Sequence, residues 1–446
     1  MYNNFQAGPG GNRGYENPPS PPHTTEAWAM SDRGVGPRIA RWAADRARVP
    51  TAQRAVLGYY AETGTFDYRA LALKSRVDGV IEAVLAELYG DVETALARAF
   101  DADSVTFEYE TKLTLPAELT LGYLFRRAQS RATGGYDPVA DTTQNGLVRT
   151  VLGAVPGPGG RRASVTRRPH ADHEAAVAAR EAREMTAFVL YALLDGDMRD
   201  AINDDEFGDF VVDFEPAVPD ADPRRVATVA QSCLQERVDA GFADYPDDVR
   251  AAYDHAVAVS EAHQEQDERF RDLLAAAADG GGGGDTVDLD PASARAAIDA
   301  EYRHRPMTDD GHPFTDEELD LPYLTTQYDR VGVIYHGMLE MYRAAGFEIE
   351  PAFERSIVFA IIGAQVWLDD VDDYAEDVAE RQLTPVTAEY ALADTDRAAF
   401  ETVVDVAETY FDRARAYADT ADSTLTGIAV EYILRSGDVS GLPGAD

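Results

Sequence analysis

Carboxylates are concentrated in the run LDDVDDYAED, at positions 368 to 377. The run follows Ser356–Leu368, a segment with no charged side chain in a chain that carries 80 acidic residues. An uncharged segment of this length predicts a helix that is buried on all sides. If the helix continues past Leu368, the acids at Asp369, Asp373 and Asp377 recur at steps of four and share one helical face.

Like charges on one helical face repel each other unless a cation lies between them. Hard oxygen ligands suit Mg²⁺, which takes one or two carboxylates and completes its shell with water and substrate phosphate. The pattern therefore has two interpretations: a solvated acidic face, or a Mg²⁺ site at the mouth of an apolar cavity. We favour the Mg²⁺ site because the carboxylates begin where the buried segment ends. The predicted ligands from this run are Asp369, Asp370, Asp373 and Asp377.

A second segment repeats this arrangement about 170 residues earlier in the chain. Thr186–Leu194 is uncharged and runs directly into an acidic stretch that contains Asp195 and Asp200. If this helix faces the Asp369 run across a cavity, Asp195 and Asp200 complete a cluster of Mg²⁺ ligands. Such a cluster would neutralise the charge of a bound phosphate group.

Two arginines lie near the predicted carboxylate groups. Arg381 comes one helical turn after Asp377, and Arg199 comes one turn after Asp195. Both are candidates for contacts with diphosphate oxygens, because guanidinium groups bind such oxygens well. The alternative for Arg381 is a surface ion pair with Asp377.

The Asp369 run resembles a motif of the class I isoprenoid synthase superfamily. Asp369, Asp370 and Asp373 match the DDxxD pattern of its trans-prenyltransferases, and Gln365 lies upstream as in their second aspartate-rich motif. Thr325–Gly363 is similar to the two helices that precede this motif. The resemblance covers about sixty residues.

A second branch of the same superfamily matches an overlapping set of residues. Asp373, Glu376, Asp377, Arg381 and Pro385 resemble the DxxED…R…P run of squalene and phytoene synthases. The two patterns lie on one predicted helix. The superfamily is therefore better indicated than the branch.

The resemblance implies a fold, an activity and a substrate. It implies an all-α, large single-domain helical bundle around a central apolar cavity. It also implies a Mg²⁺-dependent enzyme that transfers or elongates an allylic isoprenoid diphosphate. Head-to-head condensation and terpene cyclisation remain alternatives. A non-catalytic helical binding protein is a further alternative, because Gly196 stands where a second Asp of the first motif is expected.

The composition indicates a highly acidic protein of the kind that halophiles produce. The formal net charge is −40, and only two of the 40 basic residues are lysine. Molar salt screens the self-repulsion that this charge creates. The charge argues against nucleic acids and anionic membranes as partners, and the single cysteine excludes an intrachain disulfide framework.

The predicted organisation is a disordered N-terminal tail at residues 1–30 followed by one all-α domain at 31–446. Mobile loops are expected near 157–170, which is rich in Gly, Pro and Arg, and at 279–285, which contains five consecutive glycines. The sequence has no apolar run long enough for a transmembrane helix and no signal-peptide pattern at its start. We expect a cytoplasmic protein in an isoprenoid or lipid pathway, acting as a monomer or a homodimer.

Overall fold

The computed structural model describes residues 40–41, 44, 49–64, 67–109, 114–133, 169–204, 207–208, 210–218, 221–278, 289–309 and 311–445. The predicted tail at 1–30 and the predicted loop at 279–285 lie outside these residues. Of the predicted loop near 157–170, only the last two residues are described, and they belong to the start of a helix.

The described residues are predominantly helical, as the sequence predicts. In chain order, the helices are α1 (Thr51–Thr63), α2 (Tyr68–Phe100), α3 (Thr114–Thr133), α4 (Pro169–Asp204), α5 (Pro223–Gly241), α6 (Asp247–Gln264), α7 (Asp267–Ala278), α8 (Pro291–Ile298), α9 (Leu324–Gln327), α10 (Val333–Ala344), α11 (Pro351–Ala364), α12 (Asp370–Asp372), α13 (Tyr374–Glu380), α14 (Pro385–Leu392), α15 (Asp396–Thr420) and α16 (Thr424–Ser436). Three π-helical turns are Asp299–Arg303, Tyr328–Gly332 and Gln365–Asp369, and two 3₁₀ turns are Phe242–Asp244 and Val439–Gly441.

The described chain divides into two compact units. The second unit is Ala72–Tyr245, and the first combines the described residues up to Leu71 with those from Pro246 onward. The helix α2 begins in the first unit and continues into the second.

In the first unit, α11 is the central helix and packs along α15. It is the helix that the uncharged segment predicted. No residue from Ser356 to Trp367 is exposed, and Ile357, Val358 and Phe359 are fully buried. Phe359 stacks on Tyr417 of α15, with ring planes 5° apart. The burial prediction for this segment is confirmed.

Two glycines allow close packing of helices in the first unit. A Cβ at Gly363 of α11 would lie 2.9 Å from the Phe411 ring of α15. A Cβ at Gly337 of α10 would lie 2.5 Å from the Cβ of Ala256 on α6. Both distances are shorter than van der Waals contact, so these helices approach each other at positions where only glycine fits.

In the second unit, α4 packs against α3 and α5, and two strands form an antiparallel sheet. The strand β1 (Ser104–Tyr109) pairs with β2 (Phe210–Glu215), with Ser104 opposite Glu215. Apolar and polar residues alternate from Val105, a pattern that fits either a strand or a short extended connector. This segment is a strand, whose alternate side chains at Val105, Phe107 and Tyr109 are buried in a core with Leu194 and Met198 of α4.

Several helix boundaries agree closely with the pattern of apolar residues. Apolar residues at steps of three and four predict a helix from Tyr68 to Phe100, and α2 has these bounds. The sequence also predicts one helix from Pro351 to Glu380, but this stretch is interrupted by a π-helical turn and by a break at Asp373. Among the described residues, none of the helices combines the length and the apolar character needed to cross a membrane.

Candidate active site around Arg330

Arg330 lies at the centre of a polar cluster in the first unit. It belongs to the π-helical turn Tyr328–Gly332, between α9 and α10. Its guanidinium Nη1 lies 3.2 Å from Oδ1 of Asp370, the first residue of α12. Asp370 is buried, whereas 29% of the Arg330 side chain is exposed. A buried carboxylate is thus paired with a cation that solvent can reach.

Each of the three π-helical turns contributes a residue to this cluster. Arg330 comes from one, Gln365 and Asp369 come from the turn that precedes Asp370, and Tyr302 comes from Asp299–Arg303. A π-helical turn inserts a residue into a helix and changes the direction of the side chains around it, and such turns are common at functional sites. The π-helical turn before Asp370 is the local reason why Asp370, rather than Asp373, faces inward.

Gln365 holds the two leading carboxylates together. Its Nε2 donates to Oδ2 of Asp369 at 2.5 Å and lies 3.4 Å from Oδ1 of Asp370. The glutamine therefore fixes the direction of both side chains. This is the glutamine that the sequence analysis identified upstream of the aspartates.

Burial makes two carboxylates of this cluster, Asp370 and Asp377, harder to ionise. Burial raises the pKa of Asp370 to about 7, although the positive charge of Arg330 opposes the shift. Burial also raises the pKa of Asp377 to about 6, and Arg330 again opposes it. For Arg330, burial disfavours the charge, but the carboxylates of Asp370, Asp369 and Asp377 outweigh it and raise the pKa.

Four buried polar atoms around Arg330 have no hydrogen-bond partner in the described part of the chain. They are Oδ2 of Asp370, Oδ2 of Asp377, Oε1 of Gln327 and Nδ1 of His263. Buried polar atoms are rarely left unsatisfied unless a bound water, ion or ligand completes them. Three of the four are oxygen acceptors, so a cation or a proton donor is the group that fits them.

Gln327 and His263 join this cluster from two other elements. Gln327 is fully buried, and its Nε2 donates to the hydroxyl of Tyr302 at 3.2 Å. His263, near the end of α6, is also buried. Its burial, together with the positive charges of Arg330 and Arg305, lowers its pKa to about 4. His263 is therefore a neutral imidazole at neutral pH.

Two of the predicted site residues lie further out. Asp373 is exposed at the break between α12 and α13, where its backbone N–H donates to the carbonyl of Asp369. Arg381 is exposed and ends α13 in a left-handed conformation, with a φ of 62°. The structure thus brings Asp369, Asp370 and Asp377 to the cluster around Arg330 and leaves Arg381 at the surface.

The other predicted site residues lie in the second unit, on α4. Asp195 is buried and accepts hydrogen bonds from Nη2 of Arg199 at 2.5 Å and from Nε2 of Gln231 at 2.9 Å. Arg199 is therefore engaged with the carboxylate one turn before it. Asp200 is half-buried. That these residues face the Asp369 run across a cavity stays a prediction.

Comparisons with known proteins do not identify a family. No family model, curated protein or solved structure matches the chain. The resemblance to the isoprenoid synthases therefore rests on the motif residues themselves.

Arg330, the residue on which the cluster centres, is not among the site residues predicted from the sequence. A signal for it was present, since Leu321–Leu339 contains only two residues of the Asp, Glu, Lys and Arg types, namely Asp329 and Arg330. A lone charged pair within an apolar helical segment indicates a charge with a specific buried partner. His263 and Tyr302 carried no comparable signal, because they occur in ordinary amphipathic helices.

Proposed function

We propose that the cluster around Arg330 binds the diphosphate group of an allylic isoprenoid diphosphate together with Mg²⁺. The observation that carries the proposal is the pair of buried carboxylate oxygens without partners, Oδ2 of Asp370 and Oδ2 of Asp377. Both belong to the run whose residues resemble a diphosphate-binding motif. The proposed reaction is prenyl transfer or elongation, with head-to-head condensation and cyclisation as alternatives.

The donor types suit Mg²⁺, although Asp369, Asp370 and Asp377 do not bring three carboxylate oxygens within 4.8 Å of one another in the described residues, so water and phosphate oxygens would complete the shell. Mg²⁺ prefers carboxylate oxygens and keeps several water or phosphate ligands. Asp369, Asp370 and Asp377 offer such oxygens, and Gln365 orients the first two. When bound, Mg²⁺ would neutralise the diphosphate and make it a better leaving group.

Arg330 is the residue that we assign to the diphosphate itself. Its side chain is partly exposed, and Asp370 holds its guanidinium in place. A guanidinium donates two parallel hydrogen bonds to phosphate oxygens, so it both binds and orients the group. Because the surrounding carboxylates raise its pKa, Arg330 stays charged throughout the reaction.

The remaining predicted site residues have a secondary role in binding. They are Arg381, Asp195, Asp200 and Arg199. Arg381, exposed at the end of α13, is available to a diphosphate that extends outward. Asp195 and Asp200 can bind the metal only if Arg199 releases the Asp195 carboxylate, which it now neutralises.

The decisive experiment measures Mg²⁺-dependent diphosphate release from a panel of allylic diphosphates in molar KCl, with mass analysis of the products. We expect release by the wild-type protein only when Mg²⁺ is present. Asp370→Asn and Asp377→Asn should each reduce release by about 10- to 100-fold, the effect typical of damage to a metal site. Calorimetry should register a parallel loss of Mg²⁺ affinity.

Asp372→Asn is the matched control, because Asp372 is in the same run but is exposed. It removes the same charge and should leave both release and Mg²⁺ affinity unchanged. Full turnover by the Asp370 variant on every substrate that the wild type accepts would overturn the proposal. So would an equal loss in the Asp372 control.

A non-catalytic helical binding protein is the second candidate. The pairing of Asp195 with Arg199 and Gln231 favours it, because this carboxylate is already satisfied within its own unit. This candidate predicts that Mg²⁺ and a diphosphate bind together, with no release from any substrate in the panel.

A further inference from the structure

A second group of possible metal ligands lies elsewhere in the first unit. His336 and Glu340 are one turn apart on α10, and Glu354 lies on the first turn of α11. Each offers one ligand atom, and these three atoms lie within 4.8 Å of one another. His336 and Glu354 are 7% and 5% exposed, so most of the group is shielded from water.

Two of the three distances within this group are close to those of a tetrahedral metal site, and the third is at most 4.8 Å. Nε2 of His336 lies 3.1 Å from Oε1 of Glu354 and 3.6 Å from Oε1 of Glu340. Ligands at Zn–N and Zn–O distances of roughly 2.0–2.1 Å are about 3.3 Å apart in a tetrahedron. The ligand atoms therefore need only small movements to surround one ion.

Tyr328 orients the histidine. Its hydroxyl is 2.6 Å from Nδ1 of His336, and the tyrosine is fully buried. Metal-binding histidines typically use their second ring nitrogen in this way, donating Nδ1–H to an oxygen so that the Nε2 lone pair faces the metal. Here that lone pair would point toward the two glutamates.

Arg343 places a positive charge against the two glutamates of this group. Its Nη1 pairs with Glu340 and lies 3.1 Å from Oε1 of Glu354, while its Nη2 donates to the carbonyl of Ile349 at 3.3 Å. One third of the arginine side chain is exposed. The guanidinium can therefore turn toward solvent when another cation takes its place between the carboxylates.

We propose that His336, Glu340 and Glu354 bind a divalent transition-metal ion of the Zn²⁺ class, and that Arg343 competes with it. Three protein ligands leave the fourth position to water, which is the arrangement of an open zinc site. An imidazole ligand favours Zn²⁺, Co²⁺ and Ni²⁺ over Mg²⁺, which prefers oxygen ligands alone. This site is separate in its residues and its chemistry from the carboxylates around Arg330.

The test uses the full chain, freed of metal by chelation and then dialysed into molar KCl. Titration with ZnCl₂ against a competing fluorescent chelator should give one tight site on the wild-type protein. His336→Gln and Glu340→Gln should each weaken that site by about 10- to 100-fold. Co²⁺ should give the visible absorption of a tetrahedral complex in the wild type and not in these variants.

Three further variants make the result specific. Arg343→Gln should strengthen Zn²⁺ binding, because it removes the competing cation. His255→Gln is the matched control, since His255 lies 3.1 Å from a single carboxylate, that of Asp309, and should leave binding unchanged. Asp370→Asn should also leave Zn²⁺ binding unchanged, which separates this test from that of the diphosphate site.

Glu340 is preferred to Glu354 for the main test because Glu354 is buried against Arg343, so that its substitution can unfold the protein. The Glu340 side chain is 39% exposed and can be changed without that risk. The proposal would be overturned if the wild-type protein and the His336→Gln variant bound Zn²⁺ with equal affinity. Weaker Zn²⁺ binding after Arg343→Gln would overturn the competition that we infer.

Discussion

At the scale of single residues, the pairing of Arg330 with Asp370 is not symmetrical. Asp370 is fully buried and needs a positive partner, whereas Arg330 also has the carboxylates of Asp369 and Asp377 nearby. Removing one partner of a buried pair leaves the other charge uncompensated, which typically costs about 3–5 kcal/mol. The cost of losing Arg330 should therefore exceed the cost of losing Asp370.

We accordingly expect Arg330→Gln to lower the free energy of unfolding by about 3 kcal/mol or more above about pH 8, where Asp370 and Asp377 are ionised, and by less below about pH 6, where both take up protons. Asp370→Asn should lower it by less, because Arg330 keeps two other carboxylates. Urea denaturation in molar KCl measures both values. Equal losses in the two variants would mean that Asp369 and Asp377 do not compensate Arg330.

His263 makes a prediction about acid stability. Its pKa is about 4 in the folded protein and about 6.5 in an unfolded chain. Below pH 6.5 the unfolded state binds the proton first, so the folded state loses stability as the pH falls from about 6.5 to 4. The shift of about 2.5 units corresponds to roughly 3 kcal/mol.

His263→Gln should therefore flatten the loss of stability between pH 6.5 and 4, whatever its effect at neutral pH. The measurement is the free energy of unfolding at several pH values in the same salt. His304→Gln is the control, because nearly half of the His304 side chain is exposed. An identical pH slope in wild type and His263→Gln would contradict the assignment of a buried neutral imidazole.

At the scale of helices, close helix packing and helix propensity have opposite effects on the stability of a Gly→Ala variant. Alanine is favoured over glycine inside a helix by about 1 kcal/mol. At Gly337, however, the added methyl group would lie 2.5 Å from the Cβ of Ala256 and force α6 and α10 apart. Overpacking of this kind costs about 1–3 kcal/mol. We expect Gly337→Ala to lower the melting temperature.

Gly79 provides the matched control for Gly337. It lies within α2, is exposed, and an added Cβ there meets no atom within 4 Å. Gly79→Ala should keep the gain in helix propensity and raise stability slightly. A Gly337→Ala variant that melts at or above the wild-type temperature would show that the contact between α6 and α10 adjusts at little cost.

At the scale of the whole molecule, the net charge of −40 controls the conditions for folding. Self-repulsion of this size destabilises a compact chain unless salt screens it, and the screening length falls to about 3 Å at 1 M salt. The melting temperature should therefore fall steeply from molar KCl to tens of millimolar, as measured by circular dichroism. Sucrose at matched osmolality should not replace the salt. A melting temperature that is independent of KCl would contradict this account.

The sequence by itself determined the predominantly helical character and the positions of several helices. Periodic apolar residues gave the ends of α2, and the uncharged Ser356–Leu368 segment indicated the buried helix α11. These predictions depend on local order, because a helix brings residues three and four apart onto one face. The concentration of carboxylates after Leu368 was also visible, and it led to Asp369, Asp370 and Asp377.

Only the tertiary structure decided which groups meet. The π-helical turns moved Asp370 inward and left Asp373 exposed, a change of register that the apolar pattern does not encode. The pairing of Arg330 with Asp370 joins residues 40 positions apart, and the partner of β1 comes from β2, about 100 residues later. Such contacts arise because burial forces each charge and each strand edge to find a partner, and packing across the chain selects which partner is in reach.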